Sequence, residues 1–232
     1  MAQPVLQIPW STLTEIMKRS CSHDEMLWYI KQTQKNRWSR RIVETQLSLK
    51  AYERSLVEPS ESIIMQEDEN INELFKDTYV FSFLDKNDVV YEKNLKQRLV
   101  DNVIQFLEEL GPGFSLLGKE YQLIVPGDDK FFIDLLMYHV KLHAYVVIEV
   151  KIGKFTPSDF GQLQFYVNAI DDLEKTEVDN PTIGLFLCKD ANGYVAKTSL
   201  KNSSSKIGIS KYKLIEELPG YLEKRLNEIK EG

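Results

Sequence analysis

The chain has 232 residues, 43% hydrophobic and 28% charged, enough for one substantial domain plus a smaller one and too mixed for a fibrous or disordered chain. No uninterrupted apolar stretch approaches the roughly 18–20 residues a membrane span requires, and Cys21 and Cys188 stand in unrelated contexts that define no disulfide framework. The net charge of -6 does not exclude a polyanionic partner, because the acids concentrate in 58–73 while 31–41 and 194–213 carry basic residues and no acid.

The N-terminus, MAQPVLQIPW, shows neither a basic leader nor a long apolar region, and together with the cysteine usage this leads to the expectation of a cytoplasmic protein. Residues 10–55 are predicted to form three short helices. Thr12 with Glu15, and Ser22 with Glu25, have capping-box spacing. The segment SHDEMLWYIKQTQ would present Met26, Leu27 and Ile30, and another helix follows Ser39 with Ile42, Val43, Gln46, Leu47 and Leu49. The basic run KQTQKNRWSRR is a candidate nucleic-acid contact through Lys35, Arg37, Arg40 and Arg41, with Trp38 either stacking on a base or packing beneath the helices. The module is thus expected over 1–57, followed by an acidic linker over 58–77 and a larger domain over 78–232.

Leu95, Leu99, Val103, Phe106, Leu107 and Leu110 recur at helical spacing and predict one helix over 94–110, ended by Gly111-Pro112-Gly113. Strands are expected at 116–125, 131–138 and 144–151, the last two joined by a hairpin-like connection through His139–His143. Thr156-Pro157 predicts a helix start, with Asp159 suited to the positive end of its dipole, and that helix should bury Phe160, Leu163, Val167 and Ile170. Strands at 182–188 and near 212–215 complete an α/β layer around a mixed sheet.

Two of these strands carry charge in an otherwise apolar text. Side chains alternate along a strand, so Tyr145, Val147, Glu149 and Lys151 share one face of 144–151. Asp134 interrupts the preceding strand, FFIDLLMYH. Buried carboxylates brought together repel unless a cation lies between them. A hard, oxygen-seeking ion such as Mg²⁺, or Mn²⁺, is the natural occupant. Asp134 and Glu149 are therefore the candidate metal ligands, and Lys151 the candidate that orients the attacking water or stabilises charge developing on the phosphate oxygens. Lys154, just beyond, is a candidate phosphate contact. His139 and His143 lack a third ligand at suitable spacing and are expected to be structural.

An Asp followed by Glu-x-Lys on adjacent strands resembles the signature of the PD-(D/E)XK nuclease superfamily. The text FIDLLMYHVKLHAYVVIEVKIGKFTPSDFGQLQFYVNAIDD, with NPTIGLFLCKD and SKIGISKYKL, closely resembles the YhcG family within it. IPWSTLTEIM and LWYIKQTQKNRWSRRIVETQLSLKAYER resemble that family's helical N-terminal domain, so the likeness covers nearly the whole chain. The resemblance implies a restriction-endonuclease-like fold, with Asp134, Glu149 and Lys151 at the motif positions and a Mg²⁺-dependent nuclease acting on DNA. Gln162 and Tyr166 match the family's Gln-x-x-x-Tyr and imply contact with substrate or ordering of the lysine. Where such families carry a helix Glu this chain has Lys96, with Glu92 and Asp101 nearby, and its N-terminal module is expected to be short relative to the family. Those departures keep open an alternative: a catalytically weak or inactive nucleic-acid-binding or assembly module. The helical module is a candidate surface for homo-oligomerisation.

Overall fold

The computed structural model describes residues 8–57, 74–76, 78–84, 90–201, 203–214 and 217. They divide into two compact units, one comprising 8–57 together with 217 and the other lying within 74–214. Most of the expected linker, 58–73 and 77, lies outside the described residues.

Among the described residues the first unit has four helices: α1 Trp10–Arg19, α2 His23–Asn36, α3 Arg40–Ser48 and α4 Ala51–Val57. Ser22 starts α2 as read from the sequence, its hydroxyl accepting from Glu25 N at 3.1 Å, while the Glu25 carboxylate takes Cys21 N at 2.6 Å. Ser39 starts α3 in the same way. Thr12 does not: Pro9 holds the N-cap position and Thr12 is buried one turn inside α1, so the Thr12–Glu15 spacing is helical but caps nothing. A fourth helix arises because Lys50, at φ 51, turns the chain between α3 and α4. Leu13, Ile16, Tyr29, Ile30, Val43 and Leu47 make the core, whereas Leu27, expected on the apolar face, is exposed. Tyr29 ties three helices together, its hydroxyl donating to Gln46 O and accepting from Tyr52 N, both at 3.2 Å.

The second unit is a six-stranded mixed sheet between helices. Its strands are β1 Thr78–Phe81, β2 Phe114–Ile124, β3 Lys130–His139, β4 Ala144–Lys154, β5 Asn180–Asp190 and β6 Lys206–Leu214. The order is β1-β6-β5-β4-β3-β2, parallel from β1 through β4 and antiparallel across β4-β3-β2. The helices are α5 Glu92–Asp101, α6 Val103–Leu110, α7 Pro157–Leu173 and α8 Gly193–Leu200.

The alternation of β4 is realised on two cores. Ala144, Val146, Ile148 and Val150 pack with Leu95 and Leu99 of α5 and Phe106 and Leu110 of α6. Val147 packs on the other face with Leu163, Val167 and Ile170 of α7 and with Ala196 and Leu200 of α8. Gly184 lets α7 approach β5, because a Cβ there would lie 2.9 Å from Val167 Cγ2.

Three sequence expectations are corrected here. The single helix over 94–110 is two, because Asn102 leaves helical geometry at ψ 37 and its side-chain amide donates to Arg98 O at 2.9 Å. β1 and α8 were not expected; β1 is four residues long and exists through parallel pairing with β6, far away in sequence. β6 begins at Lys206, not near 212. Buried His139 accepts Leu142 N at 3.2 Å through Nδ1, and His143 takes the left-handed φ of 46 in the β3–β4 turn.

Candidate active site

The β3–β4 ladder sets the site. Its register runs from His139 opposite Ala144 to Leu135 opposite Ile148, so the next pair outward is Asp134 opposite Glu149. There the two carboxylates take over from backbone carbonyls. Asp134 Oδ2 accepts Val150 N at 2.9 Å, and Glu149 Oε1 accepts Asp134 N at 3.1 Å. Each carboxylate thus satisfies a backbone donor of the opposite strand, which fixes both rotamers without help from a ligand. Asp134 retains 9% exposure and Glu149 6%, so both ionised forms are poorly hydrated.

Electrostatics follow from that burial. Burial, then the neighbouring charge of Asp134, pushes the Glu149 carboxyl up to about 8. Burial raises Asp134 as well, and this outweighs the lowering effect of the ammonium beside it. That ammonium belongs to Lys96 of α5, whose Nζ lies 2.6 Å from Asp134 Oδ1 and 3.0 Å from Glu92 Oε1. Burial works against the charged form of Lys96, but the attraction of Asp134 and then Glu92 prevails and raises its pKa.

Lys151 is held from the other side. Its Nζ contacts both oxygens of Asp159 at 2.8 Å. Asp159 also accepts Thr156 N at 2.7 Å, so the residue that starts α7 clamps the lysine of β4. The sequence reading left Gln162 and Tyr166 either contacting substrate or ordering the lysine; in the structure Asp159 is the residue that holds Lys151. Gln162 and Tyr166 are brought together, Gln162 Nε2 donating to the Tyr166 hydroxyl at 3.1 Å.

Asp134, Glu149, Lys151, Gln162, Lys96 and Glu92 line one open cleft of about 520 Å³. Phe132, two residues before Asp134 on β3, exposes 55% of its surface there. Glu120, in the β2 position opposite Asp134, also lines it at the left-handed φ of 42, a conformation that costs a non-glycine residue of order 1 kcal/mol or more. Asp101 stands away from this group, accepting Gln97 Nε2 at 2.7 Å on an exposed face. The carboxylate nearest Lys96 on its own helix is therefore Glu92, one turn earlier.

The family model described as the YhcG PDDEXK nuclease domain matches residues 72–227, and that of the DUF1016 N-terminal domain matches residues 1–54. The chain belongs to the YhcG PDDEXK nuclease family. A YhcG relative from Escherichia coli (strain K12), named "Putative nuclease YhcG", is 30% identical over 226 residues, which is 94% of this chain. This YhcG-family chain spans 58% of that relative's length. Among solved structures, a repair endonuclease from Pyrococcus abyssi is similar at 17% identity and a TM-score of 0.37, covering 52% of this chain and 47% of the other. An EndoMS–dsDNA complex is similar at 19% identity and a TM-score of 0.37, covering 52% and 44%.

The remaining sequence-predicted residues of this YhcG-family chain lie elsewhere. Lys154 is on the exposed end of β4, with Nζ 4.0 Å from Asp190, and does not line the cleft. Lys35, Arg37, Arg40 and Arg41 are exposed in the helical unit. Arg40 is engaged by Glu44 at 2.7 Å and Glu15 at 3.5 Å, and Arg37 is the left-handed C-cap of α2. Trp38 packs on the helical core beside Trp28, the second of its two sequence readings. Asp159, Glu120 and Phe132 were missed as site residues, and Glu92 was named only as an acid near the helix position that Lys96 holds. Asp159 was visible only as a helix-start acid, and nothing local in the sequence points Glu92 or Phe132 into a cleft.

Among the described residues no helix is long and apolar enough to cross a membrane.

Proposed function

We propose that this chain is a divalent-metal-dependent nuclease that hydrolyses phosphodiester bonds in DNA, with Asp134, Glu149 and Lys151 as catalytic residues. The observation that supports this most is the meeting of two buried carboxylates at the end of one strand ladder, in the same cleft as a clamped lysine.

The donor set fits a hard cation. Both carboxylates are pushed toward protonation by burial, the condition that a doubly charged ion relieves. Among the described residues no third Asp, Glu, His or Cys joins them as a metal-binding group. Mg²⁺ suits such a site because it commonly takes one or two protein carboxylates and keeps several waters; Mn²⁺ is the close substitute. When bound, the ion supplies Lewis acidity toward the scissile phosphate and acidifies water.

Everything else is work for the protein's own groups. Asp134 and Glu149 hold the ion, their rotamers set in advance by Val150 N and Asp134 N. Lys151, fixed by Asp159, places positive charge where negative charge develops on the phosphate oxygens. Gln162, oriented by Tyr166, contacts the substrate strand. Phe132 offers an aromatic surface to a sugar or base beside the scissile bond. Lys154 and the exposed Lys35, Arg37 and Arg41 are proposed backbone-phosphate contacts, with Arg40 the weakest because two glutamates already engage it. A cytoplasmic setting and self-association through the helical unit complete the proposal.

The test is incubation of the purified protein with plasmid, linear and single-stranded DNA in Mg²⁺ or Mn²⁺, beside Asp134→Asn and an EDTA control. Metal-dependent cleavage lost in the variant supports the proposal, and equal cleavage by both proteins refutes the assigned site. A second reading, a binding or assembly module with little turnover, has one observation in its favour: Lys96 already engages Asp134 Oδ1. Tight DNA binding without cleavage in either metal would establish it.

A further inference from the structure

Lys96 places a cation where a metal would have to approach Asp134. Asp134 has two oxygens. Oδ2 is engaged by Val150 N at 2.9 Å, and Oδ1 by Lys96 Nζ at 2.6 Å. Removing the first contact would leave a donor of β4 unpaired at the end of the ladder, which costs about 1–3 kcal/mol where the group is buried. Removing the second leaves Lys96 with Glu92 Oε1, already 3.0 Å away. Oδ1 is the oxygen not tied to the backbone, so a metal that approaches Asp134 there meets the Lys96 ammonium, which can retreat to Glu92.

Helix geometry supports the retreat. Glu92 and Lys96 are i and i+4 on α5, the spacing and order at which a Glu–Lys pair is favourable without any third partner. Glu92 lines the same cleft, so the displaced ammonium remains at its wall. Leu95 and Leu99, buried beside Lys96 in the sequence, hold that part of α5 on the core. The change therefore needs only movement of the lysine's flexible end.

We infer that Lys96 is a tethered cation that occupies the metal position of Asp134 in the metal-free protein and is displaced onto Glu92 when the metal binds. The inference rests on the metal-dependent reading above and concerns how that site is filled. Its consequence is competition. The metal-free cleft keeps its buried aspartate compensated, and a divalent ion binds only by displacing an internal rival. Metal affinity is thereby lowered, and Lys96 acts as an internal competitor, not a ligand.

The test is Mn²⁺ binding measured by calorimetry on the full chain at pH 8.5, where proton competition at the two carboxylates is reduced. The proteins compared are wild type, Lys96→Met, Lys96→Gln, Lys93→Met and Glu149→Gln, each checked for folding by circular dichroism. Lys93 lies on the same helix and lines the same cleft, so its variant reports the effect of simply removing a nearby positive charge. Loss of a competitor at contact distance should tighten Mn²⁺ binding by roughly tenfold or more in whichever Lys96 variant folds, against a change within about twofold for Lys93→Met. Unchanged or weaker binding in the Lys96 variants, with wild-type binding still abolished by Glu149→Gln, overturns the inference and leaves the metal site standing. Absence of Mn²⁺ uptake by all five proteins overturns the metal reading and the inference with it.

Discussion

Metal binding at this site should release a proton, and the amount is calculable. Burial, with help from the charge of Asp134, moves Glu149 from its ordinary 4.5 to about 8 in the metal-free protein. At pH 7 a group with that pKa is about nine-tenths protonated. A metal takes the ionised carboxylate, so Mn²⁺ binding should expel roughly one proton from Glu149 near pH 7 and far less at pH 9. Apparent affinity should then climb nearly tenfold per pH unit below about 8 and level off above it. Asp134, also raised, acts in the same direction. The stability of the metal-free protein runs the opposite way. A carboxyl whose folded pKa is raised favours the fold fully below its unfolded value, here near 4.5, and that contribution is lost as pH rises through about 8. Calorimetry in two buffers of different ionisation enthalpy counts the protons directly, with Glu149→Gln as the silent control. Proton release near zero at pH 7, or an affinity that is flat between pH 6 and 8, would refute this reasoning.

Asp159→Ala should free Lys151 and reduce turnover by about 10- to 100-fold with a smaller change in KM, and removal of the α7 cap should lower stability by about 1 kcal/mol; steady-state cleavage kinetics beside a melting curve separate the two effects. Gly184→Ala should destabilise by about 1–3 kcal/mol, because the new Cβ meets Val167, Leu163 and Ile207, while activity measured well below the lowered Tm stays near wild type. Phe132→Ala should weaken binding of single-stranded DNA by roughly 1–3 kcal/mol, and Phe132→Trp should restore it; fluorescence anisotropy on a labelled oligonucleotide decides. Replacing Lys35, Arg37 and Arg41 together by Gln should flatten the dependence of DNA affinity on salt, whereas Arg40→Gln alone should hardly change it, given its partners Glu15 and Glu44.

What could be read from the sequence was what local pattern dictates. The runs 131–138 and 144–151 are strongly apolar and bounded by turn residues, and they emerged as β3 and β4 with a residue or three added at the ends. Thr156, Pro157 and Asp159 marked the start of α7 because capping acts within one turn of chain. Asn102 was missed because the apolar positions on either side, Leu99 and Phe106, remain buried in one core despite the break, so the periodic signal runs through it. β1 was missed because four residues carry little pattern and their partners, Lys211 to Leu214, lie more than a hundred positions away. The site divides along the same line. Asp134, Glu149 and Lys151 stood out as charges in buried strands. The approach of Lys96 to Asp134 depends on how α5 lies against the sheet, and the hold of Asp159 on Lys151 depends on where α7 leaves β4.

The most direct measurement is anomalous diffraction from crystals of the full chain soaked in Mn²⁺. A single strong peak within coordination distance of Asp134 Oδ1 and a Glu149 oxygen, with Lys96 Nζ withdrawn to Glu92, is the result expected. A peak elsewhere, or no peak while Lys96 remains on Asp134 at saturating Mn²⁺, would contradict the assignment of this cleft as a metal-dependent nuclease centre.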